Sequence, residues 1–392
     1  MSTHFHSHLD SGISILKSYK GDIPFHIYLK KYFSSNKRYG STDRKQIASL
    51  CYNFFRLGHS ANNISIEDKI LIGTFLCETK SSAVLQSIKP EWSFLIEKQL
   101  EEKLSILDSQ FFIKDIFSYK DELSEGIDVE KFSTSFLIQP DLFLRIRPGN
   151  SKRVTGKLAG AGLIFKSVSK SCIALPNASK IDTVIELDKE AVVQDYNSQG
   201  IGDFFKLEVS NQESQINVWD CCAASGGKSI MAYDINPNIE LTVSDKRESI
   251  LQNLHKRFAK AGIKKYNSFV ADLASDNRQL LTQKYDLISC DAPCTGSGTW
   301  SRTPEQLFYF KKPAIEKYAT LQKQIVQNVV PYLKPGGHFL YITCSVFKKE
   351  NEDIVKYIEE KYDMEVQRME ILKGYEIKAD TMFAALLTAP VS

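Results

Sequence analysis

No apolar run in this chain approaches the roughly 18 residues needed to cross a membrane, which argues against a membrane-spanning helix. The start, MSTHFHSHLDSG, lacks a basic segment followed by an apolar one, so no secretory signal is read there. The eight cysteines have no regular spacing. That speaks against a disulfide framework and for a reducing compartment, with the cytoplasm expected. An excess of one charge is also missing, since a net +3 is too small to argue for nucleic acid by itself. No internal repeat or low-complexity segment occurs. What remains, 43% hydrophobic and 25% charged residues over 392 positions, is the make-up of an ordinary globular protein with about two or three domains.

The distribution of charge says more than its sum. Between Leu142 and Ile181 stand eight basic residues and no acidic one, among them Arg145, Arg147, Lys152 and Arg153. Apolar and aromatic residues are interleaved with them, a pattern that suits contact with nucleic-acid phosphates as well as it suits a solvated face. The N-terminal third reads as helical: Ile47, Leu50, Cys51, Phe54 and Phe55 recur at helical spacing, with Asp43 as the expected N-cap and Gln46 at the capping-box position. Arg44, Arg56 and His59 there read as surface or packing charge. The alternating His4, His6 and His8 are read as a frayed end in preference to a metal site. Between about 131 and 205, short apolar runs broken by Pro140, Pro148-Gly149 and Pro176-Asn177 suggest a small α+β module carrying the basic block.

From Gln215 onward strand-like and helical stretches alternate, the pattern of a parallel α/β sheet. Strands are expected at Ile216–Asp220, Ile239–Ser244, Ser268–Ala271, Tyr285–Cys290, His338–Thr343 and Met382–Leu387. Helices are expected from about Arg247 to Ala261, Pro313 to Val330 and Glu352 to Glu360. Gly226-Gly227-Lys228-Ser229 resembles the end of a phosphate-binding loop, but that motif needs a glycine where Cys222 stands, so a nucleotide-hydrolysing site is rejected. What remains is a small-residue turn, Cys222-Ala223-Ala224-Ser225-Gly226-Gly227, on which a cofactor can lie against backbone. Asp245 ends the second strand, where such sheets place the acid that accepts from ribose hydroxyls, and Asp272 ends the third within reach of the base. A dinucleotide would prefer a glycine fingerprint that is missing, which leaves S-adenosylmethionine as the expected cofactor.

Asp291, Cys294 and Cys344 fall at the C-terminal ends of two strands, the edge where open α/β sheets bind ligands. A thiolate there can attack an electron-poor ring. Cys51, Cys77, Cys172, Cys221 and Cys290 read as small apolar packers. A zinc site from Cys221, Cys222, Cys290 and Cys294 lacks the usual ligand spacing, so no metal is expected.

The segments DCCAASGGKS, SDKR, FVADL, DAPCTGSGTWSRTPE and GGHFLYITCS resemble, in order, the motifs of the RNA cytosine-C5 methyltransferases of the Sun/RsmB family. VQDYNSQG and PDLFLRIRPGN are similar to the segments that precede the catalytic domain in that family. RYGSTDRKQIASLCYNFFR is a less specific likeness, and DTMFAALL a looser one. The resemblance implies a class I methyltransferase, Rossmann-like, with a mainly parallel seven-stranded sheet over 206–392. Before it come a small RNA-binding α+β module at 131–205 and a helical domain at 1–130. It implies addition of Cys344 to C6 of cytosine, assistance of release by Cys294, and a grip on the base edge by Asp291 and Lys228. Cofactor contacts are implied at Cys222, Ala223, Ala224, Gly226, Gly227, Lys228, Asp245, Arg247, Asp272 and Asp291, and RNA contacts at Arg145, Arg147, Lys152 and Arg153. The implied substrate is ribosomal RNA in preference to transfer RNA, with a monomer expected. Ser225 stands where the family usually has proline, which is expected to loosen the cofactor loop without removing a ligand. From the residues alone, either cysteine could be the attacking one. A DNA cytosine methyltransferase is disfavoured, because it has no need of the second cysteine. A binding-only assembly factor on the same fold is disfavoured as well, since it would be expected to have lost a thiol or an acid.

Overall fold

The computed structural model describes residues 2–61, 63–80, 82–107, 111–209, 215–275 and 283–391. By packing, the chain forms two units. One comprises Met1–Asp121, Asp128–Gln139 and Trp300–Lys311; the other comprises Glu122–Ile127, Pro140–Thr299 and Lys312–Ser392.

The first unit is helical, with long helices at Ser2–Ser18, Phe25–Ser35, Ser41–Arg56 and Ile66–Cys77. Two expectations are corrected here. The N-cap of Ser41–Arg56 is Gly40, and Asp43 sits one turn inside, accepting the Gly40 N–H at 2.9 Å. The start of the chain is helical through Ser2–Ser18 rather than frayed: His8 is buried, with its Nε2 3.3 Å from Asp43 Oδ1. The side chain of His4 lies outside the described residues. Arg56, also buried, donates to the carbonyls of Phe136 (2.7 Å) and Ser301 (3.1 Å), so its charge is spent on packing.

The second unit holds two sheets. The smaller consists of β1 (Leu142–Ile146), β2 (Lys166–Ser167), β3 (Cys172–Leu175) and β4 (Ala191–Val193), all antiparallel in the order β2-β3-β1-β4. Helix Ser151–Gly160 buries Val154 and Leu158 in a core with Leu144, Ile146, Ile173 and Leu175.

The larger sheet has seven strands: β5 (Asn217–Asp220), β6 (Glu240–Asp245), β7 (Asn267–Val270), β8 (Tyr285–Asp291), β9 (Leu333–Thr343), β10 (Glu365–Leu372) and β11 (Met382–Thr388). Their order is β10-β11-β9-β8-β5-β6-β7. The ladders are parallel from β9 to β7, and β11 and β10 complete the sheet antiparallel. This is the class I methyltransferase arrangement. The helices form for the reason their spacing suggests: Glu248–Ala261 buries Leu251, Leu254, Phe258 and Ala261 along one stripe and ends at Gly262 in the left-handed region, φ +79°. Strand β9 starts five residues before its expected position, running through Pro335-Gly336-Gly337 with an irregular register against β8. Strand β10 had no counterpart in the residue-level reading. It is an edge strand whose residues are half-buried or exposed, so its alternating charges carry no core signature.

The chain runs β5, β6, β7 outward and then returns to place β8 on the other side of β5. The direction of winding therefore reverses between β5 and β8, and ligands of such sheets bind outside the strand ends at that reversal. Asp220 and Asp291 are the last residues of those two strands.

Candidate active site

Two thiols meet at this edge. Cys294 follows β8 and Cys344 follows β9, and parallel pairing of those strands brings their Sγ atoms to 3.2 Å. Both side chains are partly exposed. The neighbouring Cys344 sulfur and burial together raise the Cys294 thiol well above its ordinary value.

The two cysteine loops hang on one carboxylate, which the sequence reading passed over. Glu350 is fully buried. Its Oε1 accepts from the Thr295 hydroxyl (2.6 Å) and the Ser345 hydroxyl (2.7 Å). Its Oε2 accepts from the Thr295 N–H (2.9 Å) and the Gln322 amide (3.0 Å). Thr295 follows one cysteine and Ser345 the other, so Glu350 fixes the two thiols relative to each other. Burial raises its pKa in spite of these four donors. Gly298 tightens the same joint. Its N–H donates to the Cys344 carbonyl at 2.9 Å, and a Cβ there would stand 2.0 Å from the Thr381 carbonyl oxygen. The only sequence clue to Glu350 was its position six residues after Cys344, where helical or strand periodicity gives no reason to single it out.

Lys228, in the first turn of helix Gly227–Ile235, donates to Asp291 Oδ2 at 2.6 Å, the lysine largely withdrawn from water and the aspartate half-buried. Burial works to lower the Lys228 pKa, but the Asp291 carboxylate outweighs it and the net shift is upward, so the ammonium stays charged. Asp220 is buried, accepts from the Ser229 hydroxyl at 2.5 Å, and is pushed by burial to about 7.

The turn after β5 has the shape of a ligand cradle. Gly226 sits at φ +81°, where a Cβ would lie 2.6 Å from Phe258, and a Cβ on Gly227 would meet open space within 4 Å. Ala224 is also left-handed, at φ +45°. Its N–H donates to Asp245 Oδ2 at 3.1 Å. Arg247 donates to Asp245 from its N–H (2.9 Å) and from Nε (3.1 Å). Asp272 is exposed just past β7, accepting the Ala274 N–H at 3.1 Å. Cys222 is half-buried and Ala223 buried, the latter donating its N–H to the Ser244 carbonyl. Ser225 does not leave the loop loose as expected: Arg257 donates to its carbonyl (2.9 Å) and hydroxyl (2.8 Å) while also gripping Asp188. A second side chain thus supplies the stiffness that a proline ring would give.

A family model for 16S rRNA methyltransferase RsmB/F matches residues 205–388, the segment that carries both thiols, the cradle and the Lys228–Asp291 pair. Residues 205–388 are similar to the RsmB/F methyltransferases. A ribosomal RNA small subunit methyltransferase B from Shewanella oneidensis is 32% identical over 200 residues, covering 50% of this chain and 43% of the relative. The chain spans about half, or less, of the length of the curated relatives it matches. Among solved structures, PH0851 has a TM-score of 0.69 at 17% identity, with 96% of each chain covered. NSun6 from Pyrococcus horikoshii with SFG has a TM-score of 0.58 at 14% identity, covering 71% of this chain and 97% of that one. At these identities the likeness carries the fold.

Outside this matched segment the four basic candidates separate. Arg145 and Arg147 are not free to meet phosphates. They pair with the buried Asp234 at 2.6 and 2.7 Å, and Arg147 also donates to the carbonyls of Asp188 and Ala261. Lys152 and Arg153 are exposed, although Arg153 pairs with Glu186 and Glu190. A cleft of about 540 Å³ beside the Arg145–Asp234 pair is lined by Lys152, Lys170 and Lys206. The argument from spacing against a metal site also meets a contrary fact. Of Cys221, Cys222, Cys290 and Cys294, the fold brings the first three together, with their sulfurs all within 4.8 Å of one another.

Proposed function

We propose that this protein is an RNA cytosine-C5 methyltransferase that uses S-adenosylmethionine, works through a covalent cysteine–C6 adduct, and acts on ribosomal rather than transfer RNA. One observation carries this reading: two thiols 3.2 Å apart at adjacent strand ends, beside a half-buried lysine–aspartate pair. A methyltransferase acting on a ring nitrogen or a hydroxyl needs no thiol, whereas C5 of cytosine is a poor nucleophile until a sulfur has added to C6. The choice of ribosomal RNA follows the family model and the relatives named for small-subunit rRNA.

The residues present fit the cofactor. The left-handed Gly226 and the open face at Gly227 let a ligand approach backbone, and Asp245 and Asp272 end β6 and follow β7 where ribose and base are bound. When bound, S-adenosylmethionine supplies the methyl group that C5 takes up.

The chain's own groups do the rest. Lys228 occupies Oδ2 of Asp291, leaving Oδ1 to accept from the exocyclic amine of a cytosine. Lys228 turns the ring-nitrogen edge toward the same pair. Cys344, as thiolate, adds to C6, and the electrons of the C5–C6 double bond move to C5. Once that pair has been used to alkylate C5, loss of the C5 proton leaves the C5–H bonding electrons to re-form the C5–C6 double bond and expel the sulfur. Cys294, whose thiol lies 3.2 Å from that sulfur, is placed to help it leave as a thiol.

Two measurements test this together. Bisulfite sequencing of RNA from cells with and without the gene should show one ribosomal cytosine losing protection. With purified protein, Cys344→Ala should neither methylate nor form an adduct, while Cys294→Ala should accumulate a protein–RNA adduct that survives denaturing gels. An adduct trapped by Cys344→Ala instead would reverse the roles, and intact methylation without an adduct in either variant would end the covalent reading.

A further inference from the structure

The sheet edge holds a second group of thiols, of which only Cys222 belongs to the turn read as the cofactor cradle. Cys221 and Cys222 follow β5, Cys290 is the penultimate residue of β8, and pairing of those neighbouring strands brings their three Sγ atoms within 4.8 Å of one another. All three are free thiols; Cys221 and Cys290 are fully buried, and Cys222 is half-buried on the turn that follows. Among the described residues the group contains three sulfurs and no imidazole or carboxylate oxygen.

We propose that Cys221, Cys222 and Cys290 form a binding site for trivalent arsenic, taken up as arsenous acid. Three soft sulfur donors exclude calcium and magnesium, which take oxygen, and the missing fourth ligand disfavours zinc. With bonds of about 2.3 Å, the length of a zinc–thiolate bond, three sulfurs around one atom stand about 4 Å apart or less, so these three, all within 4.8 Å of one another, need draw together by less than about 1 Å.

Charge then selects among the thiophilic species. The exchange As(OH)₃ + 3 RSH → As(SR)₃ + 3 H₂O breaks three As–O and three S–H bonds and forms three As–S and three O–H bonds. Arsenic stays trivalent, no proton is left over, and the product is neutral. A copper(I) or cadmium(II) tris-thiolate would instead place net negative charge in the core beside the buried Asp220, at a desolvation cost that a neutral product avoids. Half-buried Cys222 gives the route of entry. This site stands independently of the methyl-transfer reading, since it requires only the three sulfurs.

Native mass spectrometry of the full-length protein incubated with arsenite is the test. The tightest adduct should add one arsenic less three hydrogens. Cys222→Ser, the mildest change for folding, and Cys290→Ala should each weaken binding at least tenfold or leave an arsenic that retains a hydroxyl. Cys344→Ser should leave the three-thiol adduct in place, because Cys294 and Cys344 offer only two sulfurs. No adduct, a tightest adduct that retains hydroxyl, its loss in Cys344→Ser, or capture of cadmium but not arsenic would each overturn the proposal.

Discussion

Replacing Glu350 by alanine removes the acceptor shared by the Thr295 N–H, the Thr295 and Ser345 hydroxyls and the Gln322 amide. The loss is not simply fourfold. The two hydroxyls lie 3.3 Å apart, and each is 3.2 Å from the Ser297 hydroxyl, so they can turn to one another. The two N–H donors cannot turn in this way. At about 1–3 kcal/mol for each buried donor deprived of its acceptor, Glu350→Ala should cost about 2–6 kcal/mol of folding stability. Glu350→Gln keeps the shape and one acceptor oxygen but turns an amide NH₂ toward donors, and about 1–3 kcal/mol is expected. Urea unfolding at neutral pH followed by circular dichroism would measure both. Stability alone does not test the positioning role. The glutamine variant should therefore also be placed in the Cys294→Ala background, well below its melting temperature, and its rate of RNA adduct formation measured against RNA affinity. A fall in rate with affinity unchanged is the expected signature of displaced thiols. If Glu350→Gln unfolds within about 0.5 kcal/mol of wild type, as a surface substitution would, and forms adduct at the same rate, Glu350 does not hold the two loops.

Three further expectations follow from individual residues. Burial raises Asp220 from 3.8 to about 7, so over that window the native state binds more protons than the unfolded state and stability falls as pH rises. Asp220→Asn should flatten that slope, gaining on wild type in urea midpoints between about pH 4 and pH 7; an unchanged slope would contradict the shift. Arg147→Ala leaves Asp234 paired with Arg145 alone and should cost about 1–3 kcal/mol, whereas exposed Lys152→Ala should leave stability alone and lower the salt dependence of RNA binding by about one counterion. The reverse pattern, read by urea unfolding and filter binding, would return Arg147 to the RNA surface. Gly226→Ala forces a left-handed alanine against Phe258 and should cost about 1–3 kcal/mol, while Gly227→Ala, which meets open space, should stay within about 0.5 kcal/mol by thermal unfolding.

The sequence by itself determined the alternation of strands and helices after Gln215, and the coincidence of Asp220, Asp245, Asp291, Cys294 and Cys344 with strand ends. A strand buried on both faces is a short apolar run, and the first polar residue after it marks the edge where ligands bind. It also determined the turn at Gly226-Gly227, because a left-handed residue packed against Phe258 admits little but glycine. Only the tertiary structure decided which side chains meet. Arg145 and Arg147 read as phosphate contacts because acids are absent from their own segment. Their partner, Asp234, lies 87 residues beyond Arg147, on a helix of the methyltransferase sheet. His8 was taken for a loose end because its contact with Asp43 comes from a different helix. Strand β10 left no apolar signature because it is an edge, paired on one side only. Glu350 was passed over, and a site at Cys221, Cys222 and Cys290 was rejected on spacing, for a common reason. Periodicity records which face of an element a residue occupies, whereas a hydrogen-bond network or a cluster of sulfurs depends on which strands the sheet places side by side, and that is set by the crossover between β7 and β8.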